Sequence, residues 1–231
     1  MLPSISKHKF YLCLIFFIFL SSIFNFNLFN NYQNKFILKN IIISGLPNHE
    51  KKMVEKELYN FYNKNIFKLS EDKVIESLNK FNFLENIYIN KIIPSSINIK
   101  LSKTDILAKT LINGEEFYIG KNGKFITSDQ LFEKKEKPIV FGNFKIDNFV
   151  NLYENLSKNK INPAKIEKYY YFKNKRWDLL FSNGHTLMLP SKNVEESMQI
   201  YKKLLKSKKL INTKIVDLRV PNQIILTNNN E

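Results

Sequence analysis

The residue types able to do chemistry are few, and most lie in the C-terminal half. Asp178, His185 and Asp217 supply an acid, an imidazole and a second acid in one stretch. Such a set can move protons, but it needs a nucleophile, a metal or a bound electrophile to act on. No serine, cysteine or metal constellation goes with it. Cys13 is the single cysteine, so neither an intrachain disulfide nor a thiolate metal site can form. His8, His49 and His185 do not stand at ligand spacing from one another. Gly45, Gly114, Gly123 and Gly184 read as turn glycines rather than as a phosphate-binding loop. The sequence therefore predicts no catalytic, cofactor-binding or metal-binding residue, and no cofactor.

What stands out instead is "IVDLRVPNQIIL" near the end. Pro221 lacks the N–H that a central strand needs, so a strand carrying it belongs at an edge or on a bulge. Beyond it Ile224 and Leu226 point one way and Ile225 the other, and only one face can be core. An uncharged edge that is apolar on both faces invites pairing. A partner segment adding as a strand would cover it through main-chain hydrogen bonds. Val220, Asn222, Gln223, Ile224, Ile225, Leu226 and Thr227 are therefore the candidate partner-binding residues. The alternative cover is the Asn-rich tail or a neighbouring helix. Asp217 and Arg219, two apart on a strand, share a face and read as a structural pair, with Leu218 between them. Trp177 reads as core beside Leu179 and Phe181, its indole N–H needing a partner. Asn183 and Gly184 read as a hairpin turn, Pro190 as the strand stop, and Ser191 as a cap for the next helix.

The elements that must position these residues follow from the pattern. The chain has 231 residues, 44% hydrophobic, enough for one ordinary domain or two small ones. The formal charge is +15. The lysines are spread along the chain and mostly alternate with apolar residues, which reads as solvated faces. Lys202, Lys203, Lys206, Lys208 and Lys209 cluster on one helix, but Tyr201 turns to the core instead of offering a stacking face, so nucleic acid is not an expected partner.

From Phe10 to Phe29 no residue carries a formal charge. As a helix this run is about 30 Å long, the hydrocarbon thickness of a bilayer. Lys7 and Lys9 precede it, and the positive-inside rule keeps that flank cytoplasmic. No small-x-small cleavage pattern follows Leu20, which favours a retained anchor over a signal peptide. The expectation is a cytoplasmic segment over 1–9, a transmembrane helix over 10–31 in contact with the lipid bilayer, and an exported remainder, periplasmic in a Gram-negative cell.

Residues 36–104 read as β-α-α-β-β: a strand closed by Gly45, a helix with Val54, Leu58, Phe61 and Tyr62 on one face, and a second helix opened by Ser70 with Val74, Ile75, Leu78 and Phe81 inward. Two strands broken by Pro94 follow, with Ile97, Ile99 and Leu101 inward. Residues 105–228 read as a mixed β unit. Strands are expected near 105–112, 115–119, 124–127, 138–141, 165–173, 176–182 and 185–189. One helix carries Phe149, Leu152, Tyr153 and Leu156; a second carries Ser197 or Met198, Tyr201, Leu204 and Leu205. "KIVDLRV" and "NQIILT" close the unit, and 229–231 form a frayed tail. The fold class is α+β, with an N-terminal membrane helix.

The stretch "LKNIIISG" followed by "NIFKLSEDKVIESLNKFNFLENIYINKIIPSSINIKL" resembles a POTRA domain. "YIGKNGKFI", "KPIVFG", "RWDLLFSNGHTLMLP" and "IVDLRVPNQI" stand in the order seen in the FtsQ/DivIB family. The run Asp217-Leu218-Arg219-Val220-Pro221 is the most specific match. "SKTD" at the join departs from the acidic-basic-x-Pro run that the family often carries there, with Ser102 for the acid and Asp105 for the proline, which predicts a different interdomain angle. The resemblance implies a non-enzymatic, single-pass inner-membrane scaffold of the cell-division septum (the divisome), working in the cell cycle and septum formation. It implies FtsB-like and FtsL-like partners, captured by strand addition over Val220 to Thr227, and contacts with other divisome membrane proteins. A POTRA-bearing envelope secretion or barrel-assembly component is the alternative, and it predicts a barrel or repeated POTRA units.

Overall fold

The computed structural model of the protein describes residues 7–22, 35–131, 136–207, 210 and 212–228. Helix α1 (Lys7–Ser22) has 16 residues and exposes its apolar side chains from Phe10 to Leu20. At 1.5 Å per residue it is about 24 Å long. Among the described residues no helix is long and apolar enough to cross a membrane. Residues 23–31 of the expected span lie outside the described residues, as do 1–6, Lys208, Lys209 and the 229–231 tail.

The first unit runs β1 (Asn40–Ser44), α2 (Asn48–Leu58), α3 (Glu71–Leu78), β2 (Leu84–Ile92) and β3 (Ser96–Lys103). Its sheet order is β1-β3-β2, with β1 parallel and β2 antiparallel to β3. Ile97, Ile99 and Leu101 alternate inward from β3 and meet Val54 and Leu58 of α2 and Val74 and Leu78 of α3, all buried. Gly45 ends β1 at φ +89°, and a Cβ there would stand 2.0 Å from the Leu101 carbonyl oxygen. Only glycine fits that approach. Helix α2 is shorter than its apolar pattern suggests. It passes into a 3-10 turn over Tyr59–Phe61, so Phe61 reaches the core from the turn while Tyr62 is only half-buried. Ser70 flanks α3 without accepting a capping hydrogen bond.

The second unit runs β4 (Ile106–Ile112), β5 (Glu115–Gly120), β6 (Phe125–Thr127), β7 (Ile139–Phe141), α4 (Ile146–Lys158), β8 (Ile166–Tyr171), β9 (Trp177–Phe181), β10 (Thr186–Met188), α5 (Val194–Lys206), β11 (Thr213–Asp217) and β12 (Ile225–Asn228). All of its strands join one sheet, in the order β12-β11-β10-β9-β8-β7-β4-β5-β6. Phe149, Leu152 and Leu156 of α4 and Met198 and Tyr201 of α5 pack with Trp177, Leu179, Leu187 and Val216. Leu205 is exposed, against expectation, while Leu204 packs against the core. One residue is about 100° round the helix, enough to turn Leu205 outward. Ser191 does not cap α5: the flanking residue is Asn193, left-handed at φ +56° and without a side-chain cap.

The three Asn-Gly pairs make two kinds of turn. Asn113 and Gly114 both have positive φ and close a two-residue hairpin of the primed type. At 122–123 and 183–184 only the glycine has positive φ. Gly184 N–H donates to the Phe181 carbonyl at 2.9 Å, and Phe181 N–H to the His185 carbonyl at 2.8 Å. This is a type I turn with a glycine bulge.

The two units lock together at β6. The Asn122 side-chain amide donates to the carbonyls of Asn82 (2.9 Å) and Leu84 (3.0 Å). Asn82 in turn donates to the Phe125 carbonyl at 2.8 Å. Gln130 accepts from Asn82 N–H and donates to the Lys80 carbonyl. Tyr118, Ile126 and Leu131 of the second unit complete the first unit's core.

Candidate functional site

The feature that sets this sheet apart is how it ends at β12. Helix α5 carries the chain from β10 to β11, which run parallel with Leu187 opposite Val216 and Met188 opposite Asp217. Strand β11 stops at Asp217 because its carboxylate takes over the local bonding. Oδ1 accepts from the Arg219 backbone N–H at 2.9 Å and from Arg219 Nε at 2.8 Å, and Oδ2 accepts from the second arm of the guanidinium. An aspartate bonding the backbone two residues on is a turn device, and the charge-assisted fork strengthens it. The hydrogen bonds from Arg219 outweigh burial and hold the Asp217 carboxyl below the usual carboxylate range. Leu218 is buried, its N–H bonded to the Met188 carbonyl at 3.0 Å.

The chain then reverses. Gln223 N–H donates to the Val220 carbonyl at 3.2 Å, and Asn222 stands at φ +60°. Proline second and a positive-φ residue third is the pattern of a type II turn. Pro221 therefore sits in the turn, not near the start of the last strand. The strand expected over Val220 to Thr227 is the shorter β12, and Val220, Asn222, Gln223 and Ile224 form the turn and its return. Ile225, Leu226 and Thr227 are on β12, opposite Asp217, Val216 and Ile215 of β11. Asp217 makes the difference, because its bonds to Arg219 end the strand before the proline is reached. Arg219 consequently pairs from the loop, not from a strand face.

β12 is the end of the sheet, and no described residue pairs with its outer side. Ile224, Ile225 and Leu226 are 46%, 48% and 39% exposed, and Val220 is 45% exposed. Successive side chains of a strand point to opposite faces, so apolar surface is bare on both. Beside it a groove of about 600 Å³ runs between the 218–224 loop and the start of α5, with Pro190, Asn193, Glu196, Leu218 and Ile224 in its wall. The groove has no signal in the sequence, since the β10-α5-β11 crossover brings its two walls together.

The acid-base set does not assemble. Asp178 and Asp217 flank Met188 across β10. His185 is three residues further along, about 10 Å at the usual strand rise. Its Nδ1 is 3.0 Å from the Thr213 carbonyl and its ring stacks on Tyr201 at 5.7 Å. Burial raises the Asp178 carboxyl above its ordinary range, against the pull of Arg176, 3.8 Å away, and of Arg219. Trp177 is buried in the core, 4.7 Å from Tyr171 between ring centroids. Among the described residues no group of three or more histidines, cysteines or acids could hold a metal ion.

The sequence model described as "Cell division protein FtsQ/DivIB, C-terminal" matches residues 111–219, which takes in β5 to β11 and ends just ahead of the β12 turn. "Cell division protein FtsQ" of Rickettsia bellii is 30% identical over 195 residues, covering 81% of this chain and 71% of the relative. The protein of the same name from Rickettsia conorii is 26% identical over 200 residues, with the same coverage. The major extracytoplasmic domain of the cell division protein DivIB from Geobacillus stearothermophilus is 11% identical and covers 47% of this chain and 96% of its own, at a TM-score of 0.34. On the identity and extent of the rickettsial matches, this chain belongs to the FtsQ/DivIB family of cell division proteins.

Proposed function

We propose that the chain is a non-enzymatic, bitopic scaffold of the division septum. The apolar N-terminal segment anchors it in the inner membrane with the N-terminus cytoplasmic. The β-α-α-β-β unit serves as a POTRA-type domain in the periplasm, and the large sheet captures FtsB-like and FtsL-like proteins by adding their strand to β12. The observation that carries this reading is the outer side of β12, unpaired among the described residues, with Ile225 and Leu226 exposed on opposite faces. A free edge supplies main-chain hydrogen bonds, and side chains flanking it supply selection. The groove beside the 218–224 loop gives the partner's flanking residues a place to lie.

Backbone amides alternate in direction along a strand, so of Ile225 and Leu226 one N–H faces outward. Ile225→Pro and Leu226→Pro, each in the full chain, are to be tested for binding to the periplasmic part of the FtsB-like protein. The variant that removes the outward amide weakens capture by at least about 10-fold, one hydrogen bond with its desolvation cost. Unchanged binding by both variants would sink strand addition.

A further inference from the structure

We infer that the end of the first unit nearest the apolar N-terminal segment docks on the bilayer as a second, reversible contact, with Phe67 entering the acyl boundary and Lys64, Lys68 and Lys73 facing anionic headgroups. The inference rests on the membrane-anchor reading above. The loop that carries these residues is tied to the chain where it leaves that segment. Ile37 bridges Asn65, Ile66 N–H donates to the Phe36 carbonyl at 2.8 Å, and Leu38 N–H to the Lys64 carbonyl at 2.9 Å. Phe36 is five residues beyond the expected end of the span at 31, so the chain holds it within about 18 Å of the interface.

Phe67 is 62% exposed although a core lies one residue away, where Ile66 is fully buried. Its ring rests on Phe36, 5.0 Å between centroids. The Asn65 side chain accepts from Phe67 N–H at 3.0 Å and so fixes the loop that presents it. Lys64, Lys68 and Lys73 surround a depression of about 310 Å³ floored by Phe61 and Leu69, and Lys64 Nζ lies 4.8 Å from the Phe61 ring centroid. Lys39, exposed, extends the basic strip along β1's approach. Glu71 and Asp72, on the first turn of α3, are the acids of this stretch, leaving the lysines in excess. An aromatic tip ringed by lysines on apolar floors matches an anionic membrane surface in both charge and hydrophobicity.

The test uses the full chain with Phe67→Trp in bilayers of phosphatidylcholine, with and without phosphatidylglycerol, and with lipids brominated high on the acyl chain. Trp177 is buried and is the chain's own tryptophan, so the unsubstituted protein supplies the background. Emission from position 67 is expected to shift blue and to be quenched by brominated lipid only where phosphatidylglycerol is present. Lys64→Glu, Lys68→Glu and Lys73→Glu together should lower the docked-to-undocked ratio by at least about 100-fold, with Trp177 emission unchanged as the sign of an intact fold. If the chain floats with the vesicles after an alkaline wash but position 67 stays open to iodide, the docking is overturned and the anchor stands. Quenching that is equal in neutral and anionic bilayers overturns it too. A chain that does not float overturns the anchor, and this inference with it.

Discussion

The nine-stranded sheet ends in two different ways. At one end β6 is three residues long and covered: Asn82 bonds the Phe125 carbonyl, and Ile126 is fully buried in the first unit's core. At the other end β12 is four residues long, bare on its outer side among the described residues, and apolar on both faces. An exposed strand edge is normally shortened, charged or covered. The chain applies shortening to both ends and a cover to one. The first unit's sheet has two edges of its own: β2 is long, but Glu85, Asn86, Asn90 and Lys91 interrupt its apolar residues, whereas β1 is kept to five residues and carries no charge, with Ile42 half-exposed. Of the two ends of the nine-stranded sheet, β12 is the one left unpaired and uncovered among the described residues.

The comparison is easiest to break by truncating one side chain at each end. Ile126→Ala empties a fully buried site and is expected to cost about 2–5 kcal/mol in denaturant unfolding. Ile225→Ala, at a half-exposed site, is expected to change stability by no more than about 0.5 kcal/mol. Equal losses would mean that β12 is covered in the free protein. A smaller effect is expected at the junction. Asn122→Ala leaves the Asn82 and Leu84 carbonyls without their donor and should cost about 1–3 kcal/mol. Hydrogen exchange should quicken at β5 and β6 amides and not at β11, and an even rise along the sheet would show that the junction does not protect that end selectively.

The smallest effects sharpen the account of the β11 turn, where two neighbouring acids act with opposite sign. Arg219 lowers Asp217, so this group's stabilising effect is complete above the unfolded carboxyl pKa of about 4 and is lost as pH falls through the lower folded value. Burial raises Asp178, so its contribution is complete below that unfolded pKa and is lost as pH rises through the higher folded value. At neutral pH Asp217→Asn should therefore lower the unfolding free energy and Asp178→Asn raise it, each by about 1 kcal/mol or less. Matched titrations of the two variants against the parent between pH 3 and 7, a window set by the carboxyl range, read out the sign, and shifts in the same direction would refute the opposition.

Much of this architecture is legible in the residues. Alternation in "SINIKLS" places Ile97, Ile99 and Leu101 in the first core, and helical spacing places Phe149, Leu152 and Leu156 in the second, because burial obeys the geometry of the element that carries it. Asn-Gly pairs locate the hairpins, although the turn type depends on which residues take positive φ. Trp177 is core as expected. The end of the chain is less legible. The last strand is an edge as expected, but proline's missing N–H is not the reason, because Pro221 lies outside it. A proline one residue ahead of a positive-φ asparagine is a turn signal, and Asp217 bonding forward to Arg219 is a strand stop. Both are local chemistry that the strand pattern around them obscured.

The sequence by itself determined most of the elements, most of their inward faces and the family, since periodicity, turn residues and the Asp-Leu-Arg-x-Pro run are local. Only the tertiary structure decided which sheet edge is open. Coverage of an edge is a contact between segments far apart in the chain: Asn82 reaches Phe125, and Gln130 reaches Lys80, across the join of two units. No local pattern records that β6 receives such a neighbour and that, among the described residues, β12 does not. The groove beside the 218–224 loop has the same origin, because its walls meet only after the β10-α5-β11 crossover has folded back onto the sheet.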